Sequence, residues 1–357
     1  MSLKVGIVGL PNAGKSTLFN ALLKKQAALA ANYPFATIEP NIGIVPVPDE
    51  RLIKLAELVE KEEGKYPPLV PATIEFVDIA GLVQGASKGE GLGNKFLSHI
   101  REVDVICHVV RYFSDPDVIH TMGDVNPERD IGVIETELAL ADLQTLENQK
   151  MPKGTQNKEE MKKWDLIEKI KTTLNTNIPA RRTIVSDEEQ GIVRELQLLT
   201  MKPVLYVFNV SEDQLTGTTP PSAFSPSMVV AAKTESELAG LSPSEQKEYL
   251  DSLNIIQSGL DQVISKAYEM LGLISFLTMG EKEVRAWTIT KSMLAPQAAG
   301  VIHTDFEKLF IKADVISYDD LIRVGSRAKA KETGKLRLEG RDYEMQDGDV
   351  VEFKIGK

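Results

Sequence analysis

The stretch Gly9-Leu10-Pro11-Asn12-Ala13-Gly14-Lys15-Ser16 completes the pattern G-x-x-x-x-G-K-[ST] directly after the apolar run 3–8. No other feature limits the fold as much. A glycine-rich turn between a strand and a helix points successive backbone N–H groups into one concavity, and the helix beginning near Lys15 adds the positive end of its dipole. Such a cradle suits the phosphates of a nucleoside triphosphate: Lys15 reaches the β and γ oxygens, and the Ser16 hydroxyl ligates Mg²⁺. Asn12, Ala13, Gly14 and Thr17 complete the loop contacts. The β-branched strand before the motif and the helical pattern 17–23 after it are the setting it requires, which separates it from a chance match.

The chain of 357 residues has room for two or three domains, and its 42% hydrophobic and 26% charged residues are those of an ordinary globular protein. No stretch approaches the ~20 consecutive apolar residues a membrane span needs, and the first residues lack a signal-peptide pattern, so the expectation is a cytoplasmic protein without a membrane partner. The one cysteine, Cys107, lies in the apolar run 105–110 and is expected to be a buried strand residue. Disulfide and cysteine-metal architectures are thereby excluded. A net charge of −11 argues against whole-protein binding to nucleic acid. The acid is unevenly placed. From 275 to 357 there are 14 Lys+Arg against 14 Asp+Glu, leaving 27 against 38 elsewhere. Arg323, Arg327, Lys329, Lys331, Lys335 and Arg337 have only Glu332 as a local acid, and the run reads as a solvated loop or as a patch for RNA.

Strand-like runs at 5–8, 73–78, 103–110 and 203–210 alternate with helical patterns, which predicts a mostly parallel sheet with helices on both faces. Between the last two runs, apolar residues recur at helical spacing from Ile131 to Leu146 and from Met161 to Leu174, with a break at 151–154. Ser186 and Glu189 have capping-box spacing for a third helix. These helices predict a solvent-exposed coiled-coil insertion over 128–197, inside a P-loop nucleotide-binding domain formed by 1–127 and 198–272. Beyond it, 273–357 reads as a small α+β module. Its expected parts are a strand at 284–289, a helix opened by a Thr304 to Glu307 capping box, and a hairpin of 336–343 with 350–355.

Asp78-Ile79-Ala80-Gly81 supplies a D-x-x-G at the end of a strand, where Asp78 would hold a Mg²⁺-bound water and the Gly81 amide the γ-phosphate. Thr37 could complete the Mg²⁺ shell with its hydroxyl. Four segments together resemble the YchF/Obg-like ATPase family: Asn12 in the loop, 33–41, 78–93 and 297–308. The motifs span nearly the whole chain. The resemblance implies an Obg-type G domain with a helical arm and a C-terminal TGS domain of β-grasp-like fold. It also implies Mg²⁺-dependent hydrolysis of ATP, with GTP less preferred, and association with ribosomes.

Readers of guanine use Asn-Lys-x-Asp, whereas this chain has Asn209-Val210-Ser211-Glu212. The longer Glu212 misplaces the base-reading carboxylate, and Val210 lacks the lysine stem that packs over the base. Asn209 is expected to touch the base still, with 231–233, including Ala232, beneath it. Leu82 stands where many GTPases orient water with glutamine. The resemblance assigns that task to a histidine on a mobile loop, which matches His120; the plain alternative is a solvent-exposed loop histidine, and Gln84 competes for the role. His108, in an apolar strand, is expected in the core. Relatives with asparagine at the position of Asn12 use its carbonyl to help bind K⁺, the alternative being a loop-stabilising amide. Two other classes stay open: a true GTPase translation factor, and a nucleotide-gated scaffold whose hydrolysis is incidental.

Overall fold

The computed structural model describes residues 3–32, 41–79, 94–115, 118, 120, 123–149, 151, 158–183 and 185–356. Thr37, Gly81 and Gln84 lie outside the described residues. In chain order the elements begin with β1 (Lys4–Val8), α1 (Lys15–Asn32), β2 (Ile42–Pro46), α2 (Glu50–Glu63), β3 (Leu69–Val70), β4 (Thr73–Asp78), α3 (Asn94–Arg101) and β5 (Val105–Arg111). Then come α4 (Pro127–Glu147), α5 (Lys158–Asn175), α6 (Asp187–Leu196), β6 (Val204–Asn209), β7 (Ser227–Val230), α7 (Ala232–Leu238), α8 (Pro243–Ser252) and α9 (Gly259–Met270). The last are β8 (Leu273–Met279), β9 (Val284–Thr290), α10 (Ala295–Ile302), α11 (Thr304–Leu309), β10 (Phe310–Ser317), α12 (Tyr318–Val324), α13 (Arg327–Glu332), β11 (Arg337–Glu339) and β12 (Asp349–Ile355). No helix among the described residues is long and apolar enough to cross a membrane.

The chain divides into two compact units, Met1–Ile44 with Glu75–Val263 and Val45–Ile74 with Ile264–Lys357. In the first, a six-stranded sheet runs β2-β4-β1-β5-β6-β7, with β4, β1, β5, β6 and β7 joined by parallel pairs. Every residue of the central β5 is buried, Cys107 included, because neighbours and helices cover both its faces. The loop after β1 leaves the carboxyl edge where the chain turns from β4 on one side to β5 on the other. Such a switch point is where open α/β sheets bind their ligands.

Helix α4 starts in this core and leaves it. Ile131, Ile134 and Leu138 pack with Ile100, Val110 and Phe208, whereas Ala139 and Leu146 pack with Leu166, Ile170 and Leu174 of α5 and Val193 and Leu196 of α6. Residue 128 therefore does not separate two cores; one helix is shared between them. Ser186 caps α6 as its spacing predicts, accepting from Glu189 N while its own N–H donates to Glu189 Oε2. The arm's return is fastened by Asp142, fully buried, which accepts from Leu199 N and Thr200 N at 2.8 Å and from Thr200 Oγ1 at 2.6 Å.

The second unit is a six-stranded sheet in the order β11-β10-β12-β8-β9-β3. It takes α2 and β3 from 45–74, a segment whose sequence reads as part of the nucleotide domain, because Leu52, Leu55 and Val59 of α2 are buried and the helix lies on β8 and β9. Two more expectations are corrected here. The strands at 337–339 and 349–355 do not form a hairpin, since β10 lies between them and pairs antiparallel with both. A register irregularity between Phe310 and Lys312 interrupts the alternation that would have marked β10 as a strand. The cap of α11 is His303, whose Nδ1 accepts from Asp305 N, in place of a Thr304 box.

Candidate nucleotide site

The phosphate loop is held open by two close approaches. A Cβ on Gly9 would stand 2.3 Å from the Val109 carbonyl, and one on Gly14, whose φ is +97°, 2.1 Å from Asn209 Nδ2. Only glycine fits either place. Asn12 adopts a φ of 63°, a left-handed conformation that asparagine tolerates. Ser16 and Thr17 are exposed on the first turn of α1, Ala13 is buried, and Lys15 is 8% exposed with Nζ donating to Leu10 O at 2.8 Å.

Lys15 and Asp78 carry the electrostatics of the site. Burial holds the Lys15 ammonium below the usual lysine range, with the Asp78 charge acting against that shift. Burial likewise pushes the Asp78 carboxyl up, with Lys15 opposing it. Asp78 Oδ1 is buried and has no hydrogen-bond partner among the described residues. Two partly desolvated charges and an orphaned carboxylate oxygen are chemically suited to a phosphate beside Lys15 and a cation beside Asp78. The donor set fits Mg²⁺, a hard ion that takes few protein oxygens and fills its shell with waters and phosphates.

On the base side, Asn209 at the end of β6 is 5% exposed and both ends of its amide are engaged. Nδ2 donates to Ala13 O at 2.9 Å, and Oδ1 accepts from Ala232 N at 3.0 Å. Asn209 thus ties the phosphate loop to the loop opening α7. Val210 is buried, and the exposed Glu212 accepts from Thr234 Oγ1 at 3.2 Å.

His120 is not the solvent-exposed loop histidine its polar neighbours suggest. Its side chain is 4% exposed, and Nε2 meets Asp130 Oδ2, itself in a side chain 5% exposed, at 2.8 Å. The pair lines a recess with Leu10, Pro11 and Ala13 of the phosphate loop. Arg111 lines it too, donating through Nε to Phe113 O and through Nη2 to Asp115 O, while Nη1 is buried without a partner among the described residues. Neither Asp130 nor Arg111 was legible in the sequence. Asp130 stands in the first turn of α4 after the N-cap Asn126 and Pro127, where an acid ordinarily complements the helix dipole.

The loop residues, Asp78, Asn209, Ala232 and Glu212 all belong to the first unit, around the carboxyl edge of its sheet. The chain is 50% identical to the Ribosome-binding ATPase YchF of Bacillus subtilis, over 99% of its own length and 100% of that protein. The chain belongs to the YchF family. Its likeness to the Ribosome-binding ATPase YchF of Pasteurella multocida is 49% over 99% of each chain. The solved Schizosaccharomyces pombe YchF GTPase superposes with a TM-score of 0.87 at 40% identity, over 99% of this chain and 98% of the other. The 50S ribosome-binding GTPase family matches residues 4–151, and the YchF GTPase C-terminal family, described as a protein of unknown function, matches 273–356. The YchF fold, a P-loop G domain with a family-specific C-terminal domain, therefore accounts for both sheets.

The basic run in that C-terminal part is not the loop its sequence suggests. Arg323 and Lys335 pair with Asp320, Arg327 with Glu352, and Arg337 with Glu339 and Asp349. Folding brings acids from 320, 339, 349 and 352 to four of the six cations. Lys329 and Lys331 remain exposed on α13.

Proposed function

We propose that this YchF-family chain hydrolyses ATP in preference to GTP, with Mg²⁺, and uses the cycle as a switch on ribosomes. The base-side geometry carries the reading. A guanine site needs a carboxylate aimed at the base and an aliphatic stem above it; here Glu212 is engaged by Thr234 and Val210 is buried, so the two groups that would select guanine are absent from their posts. Asn209 holds the pocket together between Ala13 and Ala232, which serves either purine.

For hydrolysis, the γ-phosphate takes the Lys15 ammonium from Leu10 O, and Ser16 with Asp78 would hold Mg²⁺, Thr37 supplying a further hydroxyl and Gly81 a γ-phosphate amide. Held by Ser16 and Asp78, Mg²⁺ would supply positive charge against the negative charge that builds on the phosphates. Asn12, at the mouth of the loop, is the residue that would meet K⁺. His120, beside the phosphate loop and paired with a carboxylate, is the group best built to take a hydrogen bond and a proton from the attacking water. Ribosome association rests on the names of the bacterial relatives, and the TGS reading of 273–357 offers RNA contact through Lys329 and Lys331.

A second reading, GTP hydrolysis, is favoured by the naming of the fission-yeast relative as a GTPase. Steady-state turnover of ATP and GTP with Mg²⁺ separates the two. Loss of the guanine-reading groups is worth ~1 to 3 kcal/mol, so GTP should lose roughly 5- to 150-fold in kcat/KM relative to a guanine-reading site, enough to leave ATP preferred without excluding GTP. The paired change Val210→Lys and Glu212→Asp should move the ratio toward GTP. A parent that prefers GTP by about tenfold or more would install the second reading.

A further inference from the structure

We infer that Asp130 is the positioning carboxylate of the hydrolytic site: it fixes the ring and the tautomer of His120 beside the phosphate loop, an inference that rests on the ATP hydrolysis proposed above. A histidine on a loop has many orientations and two neutral tautomers. The Asp130 contact limits both: His120 Nε2 lies 2.8 Å from Asp130 Oδ2 in a nearly closed environment, and because a carboxylate oxygen accepts, the pair selects the tautomer with its proton on Nε2 and its lone pair on Nδ1.

The carboxylate is itself held. Arg129 Nη2 reaches Asp130 Oδ1 at 3.4 Å, and Arg129 is anchored on Asp124 Oδ1 at 2.7 Å. With Oδ1 turned to Arg129, Oδ2 faces the imidazole. The backbone of Asp130 is fixed by helix α4, where its N–H donates to Asn126 O at 3.0 Å. Ile131 and Ile134 of the same helix are sunk in the core of the nucleotide sheet. At the other end of the segment, Arg111 grips the carbonyls of Phe113 and Asp115 and stacks on Phe113, 4.6 Å from the ring centroid. His120 therefore hangs between two buried anchors, each on an element rooted in the sheet that carries the loop.

The step this arrangement serves balances simply. His120 Nδ1 takes a proton from water as the water oxygen bonds to the γ-phosphorus. The bond from that phosphorus to the β,γ-bridging oxygen breaks with its electron pair, leaving ADP, and the imidazolium returns its proton to the released phosphate. During the transfer the ring gains a positive charge, which Asp130 stabilises where it forms.

The test is a cycle on the full chain with His120→Ala, Asp130→Asn and the double variant, reading single-turnover ATP hydrolysis and the Kd for a non-hydrolysable ATP analogue. Asp142→Asn, a change at an equally buried aspartate on α4, serves as the control for damage to the helix. We expect Asp130→Asn to lower the rate by roughly 10- to 100-fold with Kd within about twofold, and to cost nothing further once His120 is alanine. Asp142→Asn should lower the melting temperature and leave the rate in place. Full activity in Asp130→Asn alongside a crippled His120→Ala overturns the positioning role alone. Full activity in His120→Ala overturns it together with the base assignment, and losses that multiply in the double variant overturn it by showing that Asp130 acts elsewhere.

Discussion

Burial fixes the charge state of His108 as firmly as it fixes its place in β5. The imidazole lies beside Tyr206, with ring centroids 5.8 Å apart, and burial, reinforced by the charges of Arg181 and Lys15, pushes it down to about 3. The unfolded chain binds a proton at its ordinary value of 6.5. Between those two values the unfolded state holds more protons, so stability rises with pH, and acidification removes ~1.4 kcal/mol per pH unit through this group. Comparing urea unfolding of the parent and His108→Gln, the parent should lose ~2 kcal/mol relative to the variant between pH 7.5 and pH 5. A difference that stays constant over that range contradicts the buried neutral ring. At this scale the sequence was informative wherever chemistry is local. The phosphate loop needs its glycines at fixed spacing, and His108 sits in an apolar run. The partner of His120 is ten residues away, and nothing in the spacing announces that a helix start will turn an acid onto it.

Elements show the same division between local and distant causes. The parallel core and the arm were readable because their periods are strong and β5 is unbroken in its apolarity. Strand β10 was not, since its irregularity near Lys312 breaks the alternation, and β8 is a short apolar run that serves a helix as well as a strand. Segment 45–74 was misplaced for a topological reason: α2 finds its apolar partner in strands more than 200 residues later, and a hydrophobic pattern does not carry an address. The basic run shows how pairing edits a charge count, for Lys329 and Lys331 alone of its six cations are exposed without an ion pair among the described residues. If α13 contacts RNA, Lys329→Glu with Lys331→Glu should weaken ribosome or RNA association and lower its salt slope by about 0.7 to 0.9 per lost contact. ATP turnover should be unaltered, because both residues belong to the C-terminal unit. Identical association at low and high salt would reduce α13 to a solvated helix.

For the molecule as a whole, the proposed function requires that nucleotide bound at the loop decide whether the chain holds a ribosome. The linkage is strict: a nucleotide shifts that equilibrium only if it binds the ribosome-competent state with an affinity different from that for the other state, and ATP and ADP must differ in that ratio. Co-sedimentation of the full chain with ribosomal subunits, in a non-hydrolysable ATP analogue, in ADP and without nucleotide, measures it directly. Lys15→Ala, which removes the ammonium proposed to meet the γ-phosphate, provides the nucleotide-blind reference. Association with the ATP analogue should exceed that with ADP by about tenfold or more, with the contrast lost in Lys15→Ala. Equal association in all three states, by the parent and by Lys15→Ala alike, would contradict it.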